Sequence, residues 1–264
     1  MAPILSVTSD QLHLWLVSFL WPFVRMIALV GSAPVLGEAA VPRPVKVIIA
    51  VLLALVITPT LEAAPAVPLI SVAGLWILIQ QILIGAAMGF SMRMVFAAVQ
   101  VAGEYVGLQM GLSFATFFDP TSGGNTMVLA RLLNVIAMLI FLSIDGHLTL
   151  IRTLAESFQT LPISEAPLAR GGWMLLVSAG AHIISGGLML ALPLIATLLS
   201  LNLAMGILNR VSPQFSIFSV GFPITLLAGV GMMQLLMQYI APFLEPRFGA
   251  GFQLIPEFLQ GLRR

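Results

Sequence analysis

The chain has 264 residues, of which 59% are hydrophobic and only 8% charged, with a net charge of +1. A soluble domain carries roughly 25% charged residues, so a water-soluble globular class is excluded for most of this chain and lipid is its expected solvent. The balanced charge gives no nucleic-acid footprint, and the absence of cysteine rules out disulfides, thiolate metal sites and cysteine nucleophiles.

Apolar stretches lie near 12–30, 45–61, 69–102, 127–144, 172–208 and 215–244. A membrane-spanning helix needs about 20 apolar residues. The first stretch lacks a basic start and contains Pro22 and Arg25, which reads as a retained membrane segment rather than a cleaved signal. A stiff turn, Pro34 to Pro44, leads into the second stretch, which is short of a full span. A Pro/Ala loop from Pro59 to Pro68 precedes the third. The third and fifth are too long for one straight crossing, so each bends into a hairpin or continues beyond the bilayer. Pro22, Pro193 and Pro223 are expected to interrupt stretches one, five and six, and Gly186-Gly187 the fifth again. Such breaks in lipid need surrounding protein to satisfy the freed backbone groups. The expected fold is an all-α membrane protein with about six apolar helical segments, several bent or broken. They form helical hairpins within a larger assembly. After residue 245, Phe248, Phe252, Ile255, Leu259 and Leu262 follow helical spacing and make an amphipathic tail, read as an interfacial helix or a docking site for a partner.

Gly103, Gly107 and Gly111 recur every four residues and share one helix face, where a second backbone can approach closely. Gly85 and Gly89 repeat the spacing earlier. A seam with another protein and a close contact inside this chain fit that pattern equally. Arg93, Gln100 and Glu104 sit at i, i+7 and i+11, so a continuous helix aligns them as a polar stripe. The stripe either lines a conduit or subunit contact, or lies on a helix end outside the bilayer. Arg131 and Asn134, mid-stretch, are expected to face protein or a wet cavity. Asp145-Gly146-His147 has neither a second catalytic aspartate nor an HExxH motif beside it, so it reads as a turn with a polar cap. No catalytic pair, metal-ligand set, cofactor motif or P-loop is present, and the chain is not expected to be an enzyme.

The segment Ser113 to Thr126 is unusual. Phe114, Phe117 and Phe118 cluster beside Met110, and Asp119-Pro120 and Gly123-Gly124 supply turn-forming hinges. Loops are usually polar. This one either dips into lipid or core, or fills a wet lumen where bulky apolar side chains expel water.

The blocks APVLGEAAVPRPVK, AGEYVGLQMGLSFATFFDP, GHLTLIRTLAESFQTLP and ALPLIATLLSLNLAMGILNRVSPQFSIFSVGFP together resemble the FliR family, the flagellar member of the type III secretion export apparatus. The resemblance runs from roughly residue 10 to 244; Ser216 and Thr149 depart from the residues expected in some relatives. It implies a helical complex with FliP and FliQ, with FlhB and FlhA nearby, at the flagellar basal body in the bacterial inner membrane. Part of that complex is raised out of the bilayer. It implies that residues 1–168 are FliP-like and 169–264 form a FliQ-like hairpin with the tail. It also implies that Gly111 to Asn125 is a plug centred on Phe114, Phe117 and Phe118, with Met110 counted among the plug residues, closing the pore until unfolded flagellar proteins are exported. The rivals are a small-solute secondary transporter, for which related halves and a polar midplane site are missing, and the equivalent gate subunit of a virulence secretion system.

Overall fold

The computed structural model describes residues 9–61, 65, 67–112, 128–212 and 220–263, with side chains from Trp15 onward. Among them the regular structure is helical: α1 (Ser9–Ser32), α2 (Arg43–Ile57) with a 3₁₀ turn (Thr58–Thr60), α3 (Val72–Gln109), α4 (Val128–Ser143), α5 (Gly146–Thr160), α6 (Arg170–Ala179), α7 (Ala181–Val211) and α8 (Phe222–Arg263). Five helical runs are long and apolar enough to cross a membrane, or six when the bent pair α4 and α5 counts as one. The chain is therefore an all-α, membrane-spanning protein.

The prolines act differently from the sequence expectation. Pro22 lies inside α1 and Pro193 inside α7, both of which continue through them. Pro223 is the second residue of α8 and follows directly on a π turn at 220–221, so the helical path continues through it as well. The fifth stretch breaks instead at Gly180, between α6 and α7. Pro42 and Pro44 play the initiating role for α2: Pro42 is its N-cap and Pro44 occupies the first turn.

Contacts divide the chain into two compact units: one is Met1–Arg93, Asp145–Ser178 and Gly251–Arg264; the other is Met94–Ile144 and Ala179–Ala250. In the first, Val17, Trp21, Val67 and Ile77 form a core between α1 and α3. Gly85 lies on the Arg25 carbonyl and Ala28, and Gly89 on Ser32 and Ala33, so α3 packs on α1 backbone to backbone. The turn after α1 places Val35 at φ 66°, with Leu36 N–H donating to Pro34 O at 2.8 Å. Lys46 Nζ holds the turn by donating to Gly37 O at 2.9 Å. In the second unit, Phe96, Phe141 and Phe248 form a three-ring core with centroids 5.3–5.6 Å apart. There α7 rests on α3: a Cβ at Gly187 would come within 2.8 Å of Ala98 O and of Val101.

Candidate functional site

Helix α3 carries most of the residues singled out in the sequence. Gly103 faces the backbone of Leu129 and Ala130 at the start of α4, and Gly107 is buried. Gly111 is not on the helix. Its φ is 79°, and it ends α3 as a left-handed cap: Gly111 N–H donates to Leu108 O at 3.1 Å and Leu112 N–H to Gly107 O at 3.0 Å. Glycine suits this position because it adopts a positive φ without a Cβ penalty. Met110, 1% exposed, sits against Gly229 of α8, where an added Cβ would come within 2.6 Å of its side chain. Met110 is therefore packed in the core against α8 and is not part of a plug, contrary to the sequence expectation. Phe114, Phe117, Phe118, Asp119, Pro120, Gly123 and Gly124 lie outside the described residues.

Arg93 and Glu104 are exposed and Gln100 is half-buried. On α4, Arg131 is exposed, whereas Asn134 is buried and its Oδ1 has no hydrogen-bond partner among the described residues. A buried amide oxygen left unpaired is costly, so this position is suited to a neighbour that supplies a donor. Asp145 starts α5 in the left-handed conformation, φ 55°. Its carbonyl accepts from Thr149 N–H at 3.0 Å and Thr149 Oγ1–H at 3.2 Å, but its side chain forms no cap bond. The polar-cap expectation therefore holds for the turn and not for the carboxylate.

The most tightly organised polar group was not among the residues singled out for function. Arg25, 0% exposed, donates from Nε to Gln81 Oε1 at 2.8 Å, from one terminal nitrogen to Ser157 Oγ at 3.1 Å and from the other to Leu161 O at 3.1 Å. Its guanidinium lies 4.1 Å from the Phe158 ring centre. It ties α1 to α3 and to the end of α5 using neutral acceptors and a π-face. An arginine alone in an apolar stretch is the signal that points to such a node, since an intramembrane cation requires partners inside the protein. The acceptors Gln81, Ser157 and Leu161 are 56 to 136 residues away and carry no local signature.

The amphipathic tail is a continuation of α8. Phe248, Ile255, Phe258, Leu259 and Leu262 are at most 1% exposed, so its apolar face is packed within the chain and does not lie open to lipid or a partner. Near its end, Ala169 N–H donates to Leu262 O at 2.9 Å, and Trp173 meets Phe258 edge to face at 5.3 Å. A Cβ at Gly172 would fall 2.5 Å from Phe258 O. The signal missed in the sequence is the pair Gly171-Gly172 facing Gly261, which admits two backbones side by side.

Residues 16–251 match the family described as "Bacterial export proteins, family 1". The chain is 51% identical over 258 residues, 98% of both chains, to the flagellar biosynthetic protein FliR of Pectobacterium carotovorum subsp. carotovorum. It is 50% identical, again over 98% of both, to that of Escherichia coli (strain K12). To FliR of Bacillus subtilis (strain 168) it is 29% identical over 84% of this chain and 87% of the relative. Family match and near full-length identity agree with the all-α, membrane-spanning fold: the chain belongs to family 1 of the bacterial export proteins.

Proposed function

We propose that the chain is a subunit of the flagellar type III protein export gate, embedded in the bacterial inner membrane at the flagellar basal body. It closes a pore built with FliP and FliQ, next to FlhB and FlhA, and passes unfolded flagellar proteins without covalent chemistry. The observation that carries this reading is the identity of 50% over 98% of the chain to FliR proteins. Residues 1–168 supply the FliP-like part and 169–264 the FliQ-like hairpin. The segment 111–125 is the plug. Its root is the capped end of α3, with Met110 seated against Gly229, and in this reading Phe114, Phe117 and Phe118 act in the lumen. Asp119-Pro120 and Gly123-Gly124 are its hinges. Gly103 and Gly107 hold the helix that presents it, and Arg93, Gln100 and Glu104 form a polar stripe against neighbouring subunits or lumen water.

The test is purification of the tagged chain from membranes with its partners expressed at native levels. A stable complex containing FliP and FliQ, and loss of flagellar protein export when the chain is deleted, are the expected results. An isolated chain that transports a small solute would replace this reading with the transporter.

A further inference from the structure

The loop 161–169 is fastened at three points. Leu161 O accepts from Arg25 at 3.1 Å, Ala166 O accepts from Gln80 Nε2 at 2.7 Å, and Ala169 N–H donates to Leu262 O at 2.9 Å. Beneath this strap is a cavity of about 260 Å³, between α3 and the end of α8, lined among others by Gln80, Ile84, Leu161, Ser164, Leu262 and Arg263. Its wall is mostly apolar, with polar groups confined to Gln80, Ser164 and Arg263. Arg263 lines the cavity, and a second basic residue, Arg170, follows Ala169, whose N–H is bonded to the carbonyl of Leu262. Both arginines are exposed, and neither pairs with a carboxylate among the described residues, although Glu165 and Glu257 are exposed in the same region. Arg170 is the first residue of one membrane-length apolar run and Arg263 the last of another. Cations at the ends of apolar helices suit the anionic headgroup region of a lipid.

We propose that this cavity is a binding site for one anionic glycerophospholipid. The phosphate lies against the Arg170 and Arg263 guanidiniums, the glycerol ester region meets Ser164 and Gln80, and an acyl segment enters the apolar wall at Ile84, Leu161 and Leu262. The site combines the two elements such lipids require, basic side chains at the headgroup level and a hydrophobic slot between helices. A zwitterionic lipid satisfies only the slot, and inorganic phosphate satisfies only the arginines.

The test uses the chain purified in its native membrane complex in mild detergent, with binding of fluorescent phosphatidylglycerol measured by titration. Each arginine facing an anionic lipid is worth a factor of about five in affinity. Arg170→Gln with Arg263→Gln is therefore expected to weaken phosphatidylglycerol binding roughly 25-fold. The corresponding double lysine variant retains most of the binding, which separates charge from misfolding. Ser164→Phe, with both arginines intact, fills the slot and also weakens binding. Unchanged affinity in the glutamine or the phenylalanine variant overturns the proposal. So does equal affinity for phosphatidylcholine, or displacement of the lipid by millimolar inorganic phosphate.

Discussion

Replacing Arg25 with methionine keeps a long unbranched side chain but removes every donor. Gln81 Oε1 and the Leu161 carbonyl then lose their partner, at roughly 1–3 kcal/mol each when buried. Ser157 is spared, since its hydroxyl still donates to Leu154 O at 2.6 Å. Loss of the cation over the Phe158 ring removes up to about 2 kcal/mol more at a desolvated site. Opposing this, the variant no longer buries a guanidinium, whose desolvation costs several kcal/mol. The two stranded acceptors and the lost ring contact sum to roughly 2–8 kcal/mol, and after that relief a net destabilisation of a few kcal/mol at most is expected. The assay is unfolding of the purified chain in mixed micelles of increasing SDS fraction, followed by circular dichroism. A second variant sharpens it: adding Gln81→Leu to Arg25→Met removes one stranded acceptor and recovers about 1–3 kcal/mol. An Arg25→Met protein as stable as wild type, or a double variant less stable than the single, would show that the Arg25 hydrogen bonds do not hold α1, α3 and α5 together.

Two glycines of opposite surroundings test the close helix contacts: at Gly103 a Cβ would strike the Ala130 backbone, whereas at Gly249 it would meet nothing within 4 Å. Gly103→Ala should destabilise by about 1–3 kcal/mol through overpacking, and Gly249→Ala should stabilise by roughly 0.5–1 kcal/mol through helix propensity, both read from the same SDS titration. Truncation after Glu245 removes Phe248, Ile255, Phe258, Leu259 and Leu262 from the core. The yield of intact complex on a native gel should collapse, and a normal complex that exports the wrong substrates would contradict the buried role given to the tail.

The helical class was readable because a chain with so few charges can satisfy its backbone in lipid only within helices or closed barrels, and its apolar stretches are long. Their limits were harder to read. Pro22 and Pro193 look like breaks, but both are accommodated inside helices, because packing can satisfy the carbonyls a proline frees. Helix α5 is not legible as an apolar run because buried Leu150 and Leu154 on one face alternate with exposed Arg152 and Glu156 on the other, a pattern that apolar run length does not detect. Gly103 and Gly111 share a spacing but not a role: the first is a helix contact, the second a left-handed cap. Spacing records which residues share a face only while the helix continues. The tail's apolar stripe was visible, yet its destination was not, since the Gly171-Gly172 and Gly261 contact that holds it joins segments about ninety residues apart.

The proposed aromatic plug is tested by the ion permeability of cells carrying Phe114→Gly, Phe117→Gly and Phe118→Gly together. Apolar rings in a wet constriction exclude water and raise the barrier to ions, so their removal should leave the membrane leaky. Assembly with FliP and FliQ, checked in parallel by pull-down, should be unchanged. An assembled complex as tight to ions as wild type would mean that the three rings serve only packing, and the plug would have to be sought elsewhere in the chain.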